Sequence, residues 1–141
     1  MNASDRIPQT VLVVEEDQVL CVVIEDVLRK AGVAEISICS NIEAAMVELG
    51  REQPEAIILD IHLAERDDGW ELAEIVNFLG PPHPRIIFST TAPHDIPPNI
   101  ARLGSIFEKP FDPALLVEAL RSHGHTGLFS RFRDVLHRPA S

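Results

Sequence analysis

The sequence predicts an α/β fold, a doubly wound sheet of five parallel strands with helices on both faces. Short apolar runs rich in β-branched residues alternate five times with helical patterns, which is the order of a parallel sheet built by crossover connections. The first and third runs, "VLVV" and "AIILD", are apolar up to their ends rather than alternating with polar residues, as strands buried on both faces read. At 141 residues and 45% hydrophobic content the chain has room for one core and for no second folded domain.

Residues 11–14, "VLVV", are too short for a helix and stop at "EED", as a buried strand stops at its carboxyl end. From Asp17 the pattern becomes helical: Leu20, Val23, Ile24, Val27 and Leu28 share a face, Asp17 caps the first turn and Gly32 closes the last. "AEISIC" is the second strand, followed by a helix opened by Asn41 and closed by Gly50. "AIILD" is the third strand. After an acidic loop "GWELAEIVNFLG" reads as a helix, and "PPHP" breaks the chain before the strand "RIIFST". The prolines of "PHDIPPNIARLG" leave room for only a short fourth helix. "SIF" is the last strand, and Asp112 with Pro113 sets a strong start for the fifth helix.

A formal charge of −10 argues against a reader of nucleic-acid phosphates, which needs Lys and Arg to displace counterions. No basic-then-apolar leader and no apolar run of spanning length is present, so the expectation is a cytoplasmic protein without membrane contact. Cys21 and Cys39 lie in apolar segments without metal-ligand spacing and read as reduced core thiols. His123 and His125 read as exposed loop histidines, and Trp70 as a packing residue.

In a parallel sheet the carboxyl ends of the strands would gather Glu15 and Glu16, Asp60, Thr90 and Lys109. Carboxylates so close repel unless a cation sits among them, and hard oxygen donors suit Mg²⁺. Asp60 then becomes a candidate nucleophile toward a phosphoryl group, with Lys109 offsetting charge on its oxygens and Thr90 bonding it.

The segments "VLVVEED", "AIILD", "IIFST" and "FEKPF", in that order, with thirty residues from Asp60 to Thr90, resemble the receiver domains of two-component response regulators. The resemblance implies a flavodoxin-like sheet of order 2-1-3-4-5, a phosphoryl group received by Asp60 from a sensor histidine kinase or phosphotransfer protein, and a cis bond before Pro110. It also implies that Glu16 and Asp60 reach Mg²⁺ with the backbone carbonyl of His62, and Glu15 beside them. Residues 1–8 are expected to be a loose N-terminus, 9–122 the receiver domain and 123–141 an extension, helical from about residue 128. That extension would pack on its own domain or dock to a second copy or another partner. With so few residues after 122, the expected output is a contact with a downstream protein or onward phosphotransfer.

The chain departs from the family at several points. Glu16 stands where an Asp is usual and is longer by about 1.5 Å. The loop after Asp60 is one residue longer to Gly69 and lacks the usual proline, and Thr91 replaces a small residue. Ile106 occupies the place of the aromatic switch, with Phe107 directed to the other side of its strand. These departures motivate an alternative reading, a pseudo-receiver that binds partners without phosphorylation. A haloacid-dehalogenase-type phosphatase is disfavoured, because His62 stands where that family needs a second Asp.

Overall fold

The strand order is β2-β1-β3-β4-β5, all parallel, in a computed structural model that describes residues 6–61, 68–78 and 83–121. The strands are β1 (Thr10–Val14), β2 (Glu35–Cys39), β3 (Ala56–Asp60), β4 (Arg85–Thr90) and β5 (Ser105–Glu108). The helices between and after them are α1 (Gln18–Ala31), α2 (Ile42–Arg51), α3 (Asp68–Phe78), α4 (Pro98–Ala101) and α5 (Pro113–Arg121). The expected fold class and sheet order are therefore observed. The expected C-terminal helix, the loop carrying His62 and the first residues of the chain lie outside the described residues.

Alternation along the strands divides the core into two layers. Leu12, Val14, Ile57, Leu59, Ile86, Phe88 and Ile106 face α2, α3 and α4. Val11, Val13, Ala56, Ile58, Ile87 and Phe107 face Ile24 and Leu28 of α1 and Leu116 and Leu120 of α5. The central strands β1 and β3 are thus divided between two buried faces, which explains why they do not alternate with polar residues, whereas the edge strand β2 alternates Glu35 and Ser37 with Ile36 and Ile38.

The caps form largely as the sequence predicts. The Asp17 carboxylate accepts from the N–H groups of Val19 and Leu20 at 3.0 and 3.1 Å, and Gly32 takes a left-handed φ of 104° to end α1. The buried stripe of α1 keeps Ile24 and Leu28 of the expected set and adds Cys21, with Leu20 and Val27 half-buried and Val23 39% exposed. Asn41 Oδ1 accepts from Ala44 N–H at 2.8 Å and opens α2. Gly50 does not close it: the helix runs on through Arg51 and ends at Glu52, whose backbone is extended. Nothing lies within 4 Å of where a Gly50 Cβ would stand, so no contact there requires glycine. A 3-10 turn at Pro93–Asp95 and a single turn of α4 are all the helix that the proline-rich segment supports.

Two contacts hold the far edge of the sheet. Arg85, at the start of β4, donates to the carbonyls of Ala119 and Leu120 and so satisfies the open end of α5. Burial pushes its guanidinium down to about 10, and it stays charged at neutral pH. Gly104 brings β5 against β4 so closely that a Cβ there would stand 2.1 Å from the Ile86 carbonyl oxygen. Gly104→Ala must displace the strand backbone and is expected to cost about 2 kcal/mol. A urea titration read by Trp70, the one tryptophan of the chain, checks this through its midpoint.

Candidate functional site

The parallel register brings the ends of β1, β3, β4 and β5 to one edge. Glu15 follows β1, Asp60 ends β3, Thr90 ends β4 and Lys109 follows β5. Lys109 Nζ donates to Glu15 Oε1 at 2.7 Å and to Asp60 Oδ2 at 3.4 Å. Both acids are buried, Glu15 at 3% and Asp60 at 6% exposure, while the Lys109 side chain keeps 19%. One ammonium therefore sits between two carboxylates, and the cluster carries a net negative charge when all three groups are ionised.

Local structure fixes each member. Glu15 Oε2 accepts from the Asp17 N–H at 3.1 Å, so the residue that caps α1 also orients the acid beside it. The Glu15 backbone is held on both sides: its N–H donates to the Cys39 carbonyl at 2.9 Å, and its carbonyl accepts from Cys21 Sγ at 3.5 Å. Lys109 is placed by its own N–H, which donates to the Thr90 carbonyl at 2.7 Å, ahead of a cis bond to Pro110 that the family resemblance implies. The Thr90 hydroxyl is fully buried and accepts from Ala92 N–H at 2.9 Å, which leaves its own proton to donate elsewhere.

Burial raises the Glu15 carboxyl above its usual value, partly offset by the Lys109 hydrogen bond and reinforced by the charge of Asp60. Burial works against the Lys109 ammonium too, but the Glu15 hydrogen bond and the two carboxylate charges outweigh it and raise its pKa. Both thiols are buried, unpaired as disulfides and raised by desolvation, as expected for core cysteines.

Of the expected set, Glu15, Asp60 and Lys109 meet directly, and Thr90 is joined to Lys109 through the backbone. Glu16, next along the chain, is exposed. His62 lies outside the described residues. No group of three His, Cys, Asp or Glu side chains is arranged to hold a metal among the described residues. The donor chemistry nevertheless suits Mg²⁺: two buried carboxylates supply hard oxygens against a single ammonium, and Glu16 is next in the chain. Two buried polar residues, Ser89 and Ser105, are not singled out by the sequence pattern. Ser89 is buried between Asp60 and Phe107 in register, and its parity with Ile87 was the available signal.

A family model for the response regulator receiver domain matches residues 11–121. No curated protein matches. Among solved structures, a CheY-like response regulator receiver domain from Methylobacillus flagellatus is 21% identical with a TM-score of 0.70, covering 81% of this chain and 97% of its own. The receiver domain of a sensor histidine kinase from Pseudomonas aeruginosa, with magnesium coordinated in its active-site cleft, is 26% identical with a TM-score of 0.65, covering 80% and 94%. A response regulator from Burkholderia pseudomallei with a phosphorylated aspartic acid and a calcium ion is 21% identical with a TM-score of 0.68, covering 92% and 74%.

Lys109→Met leaves Glu15 and Asp60 buried without their shared cation, a loss of about 3 kcal/mol at neutral pH. Glu15, already raised, then rises further above its unfolded value, so its penalty is absent below that value and grows as pH climbs through the folded one. Urea unfolding of both proteins at pH 7 and near pH 4 should show the gap between them narrowing in acid.

Proposed function

The chain belongs to the response regulator receiver domain family, and from that premise we propose that Asp60 accepts a phosphoryl group from a histidine kinase or phosphotransfer protein and biases a switch read by a downstream protein. The observation that carries this is the meeting of Asp60 with Lys109 and Glu15 at the carboxyl edge of the sheet. In transfer, an Asp60 oxygen attacks phosphorus while the bond from phosphorus to the donor histidine nitrogen breaks, its electron pair leaving on that nitrogen. Lys109 offsets the charge on the phosphoryl oxygens, and the Thr90 hydroxyl donates to one of them. Asp60, Glu15, Glu16 after an inward turn, and the His62 carbonyl would hold Mg²⁺, which when bound neutralises charge at the transferring group.

Asp60→Asn should abolish the mass gain produced by acetyl phosphate with Mg²⁺ while leaving the unfolding midpoint close to that of the natural protein. Equal labelling of the Asn variant would remove Asp60 from the role.

A second reading has its own support. Lys109 is closer to Glu15 than to Asp60, and Glu16 is exposed, an arrangement that also suits a pseudo-receiver acting by contact alone. Absence of Mg²⁺-dependent labelling in the natural protein, with labelling restored in Glu16→Asp, would favour it.

The switch itself should work without a rotating ring. Ile106 is buried against Ile96 and Ile100, whereas Phe107 is buried on the opposite layer, edge-on to Phe111 at 5.6 Å between centroids. Phosphorylation would draw Thr90 toward Asp60 and move the segment from Thr91 to Pro98. Thr90→Ala should weaken partner binding by the phosphorylated protein more than Phe107→Leu does. Calorimetric titration with an identified partner checks the order, and the reverse order would refute this route.

A further inference from the structure

Ser89 is 1% exposed, and its Oγ has no hydrogen-bond partner among the described residues. A buried hydroxyl left in that state is costly, so what lies within its reach matters. Its backbone is committed to the sheet, where its carbonyl accepts from Ile61 N–H at 3.3 Å. Register places it between Asp60 of β3 and Phe107 of β5. Directly opposite residues on neighbouring strands project to the same face, with the strands about 4.8 Å apart. Phe107 carries no acceptor. Glu15, the other buried acid of this edge, follows β1, which is separated from β4 by β3. The Asp60 carboxylate, directly opposite in register, has about four lone-pair sites, so its contact with Lys109 does not exclude a further donor.

We infer that Ser89 is a positioning residue for the acceptor: rotation about χ1 lets its Oγ–H donate to the Asp60 carboxylate, and this contact shortens the life of the phosphorylated state. The inference rests on the phosphoacceptor reading of Asp60. Hydrolysis of an aspartyl phosphate forms a bond from a water oxygen to phosphorus and breaks the bond from phosphorus to the Asp60 oxygen. The electron pair leaves on the carboxylate, and the proton of the water goes to solvent as inorganic phosphate departs. A hydroxyl donates more strongly to an ionised carboxylate than to the neutral carbonyl of an acyl phosphate. Ser89 therefore favours the side of the reaction on which Asp60 is free, and lowers the barrier as negative charge returns to that oxygen.

The test compares the natural protein with Ser89→Ala and Ser89→Thr. Each is loaded with acetyl phosphate and Mg²⁺, freed of reagent, and followed by intact mass as the phosphoryl group is lost. Ser89→Ala should lose it roughly threefold to tenfold more slowly, and Ser89→Thr, which keeps the hydroxyl, should stay within about twofold of the natural rate. Loss from the Ala variant as fast as from the natural protein, or a Thr variant as slow as Ala, overturns the inference. The Asp60 ¹³Cγ resonance of the unphosphorylated proteins gives a second readout, expected to move in the Ala variant and to be retained in Thr. If no protein takes label, the acceptor reading fails along with the timing role, and an unmoved resonance then overturns the Ser89 contact as well.

Discussion

One ammonium shared by two buried carboxylates is the constraint on which the upper edge of this molecule depends. Glu15, Asp60 and Lys109 are 94 and 49 residues from one another along the chain, counted from the lysine, and meet only because β1, β3 and β5 run parallel in one sheet. Two acids at these depths without a cation would repel each other. Lys109 between them offsets that repulsion, and the edge holds a compact reserve of oxygen donors. The close approach of β5 to β4 at Gly104 and the bond from Lys109 N–H to the Thr90 carbonyl serve that placement. So does the Asp17 backbone, which fixes the second oxygen of Glu15.

Most of this was legible in the sequence because it rests on local rules. The five apolar runs, the Asp17 and Asn41 caps, the Gly32 terminus and the Pro113 start each depend on a few adjacent residues, and each appears where expected. Local rules decide less where two neighbouring residues compete for one role. Glu15 and Glu16 are chemically alike, and only strand parity decides that Glu15 continues the layer of Val13 and turns inward. Gly50 resembles a helix terminator, but a glycine stop uses a left-handed backbone, and this position stays within α2 instead. Along α1, Ile24 and Leu28 are buried as expected, while Cys21, a small apolar residue outside the expected set, is buried and Val23 is not.

The outer surface of α1 shows the same limit from another side. Val19 and Val22 are 76% and 67% exposed, although their residue type suggests burial. Ion pairs from Glu25 to Arg29 and from Asp26 to Lys30 lie along the same helix and hold its later turns by solvated contacts. Composition separates apolar from polar positions, but which apolar side chains face outward depends on the neighbours that the sheet supplies.

The two cysteines embrace Glu15 from either side, one through its thiol and the other through its carbonyl. Neither sulfur is a ready nucleophile in the closed fold, since burial holds both in the protonated form. An alkylating reagent can therefore reach Cys21 or Cys39 only when the wall around that acid opens. The rate of thiol capture under native conditions becomes a clock for local breathing at this end of the sheet, with its reporters already built into the chain.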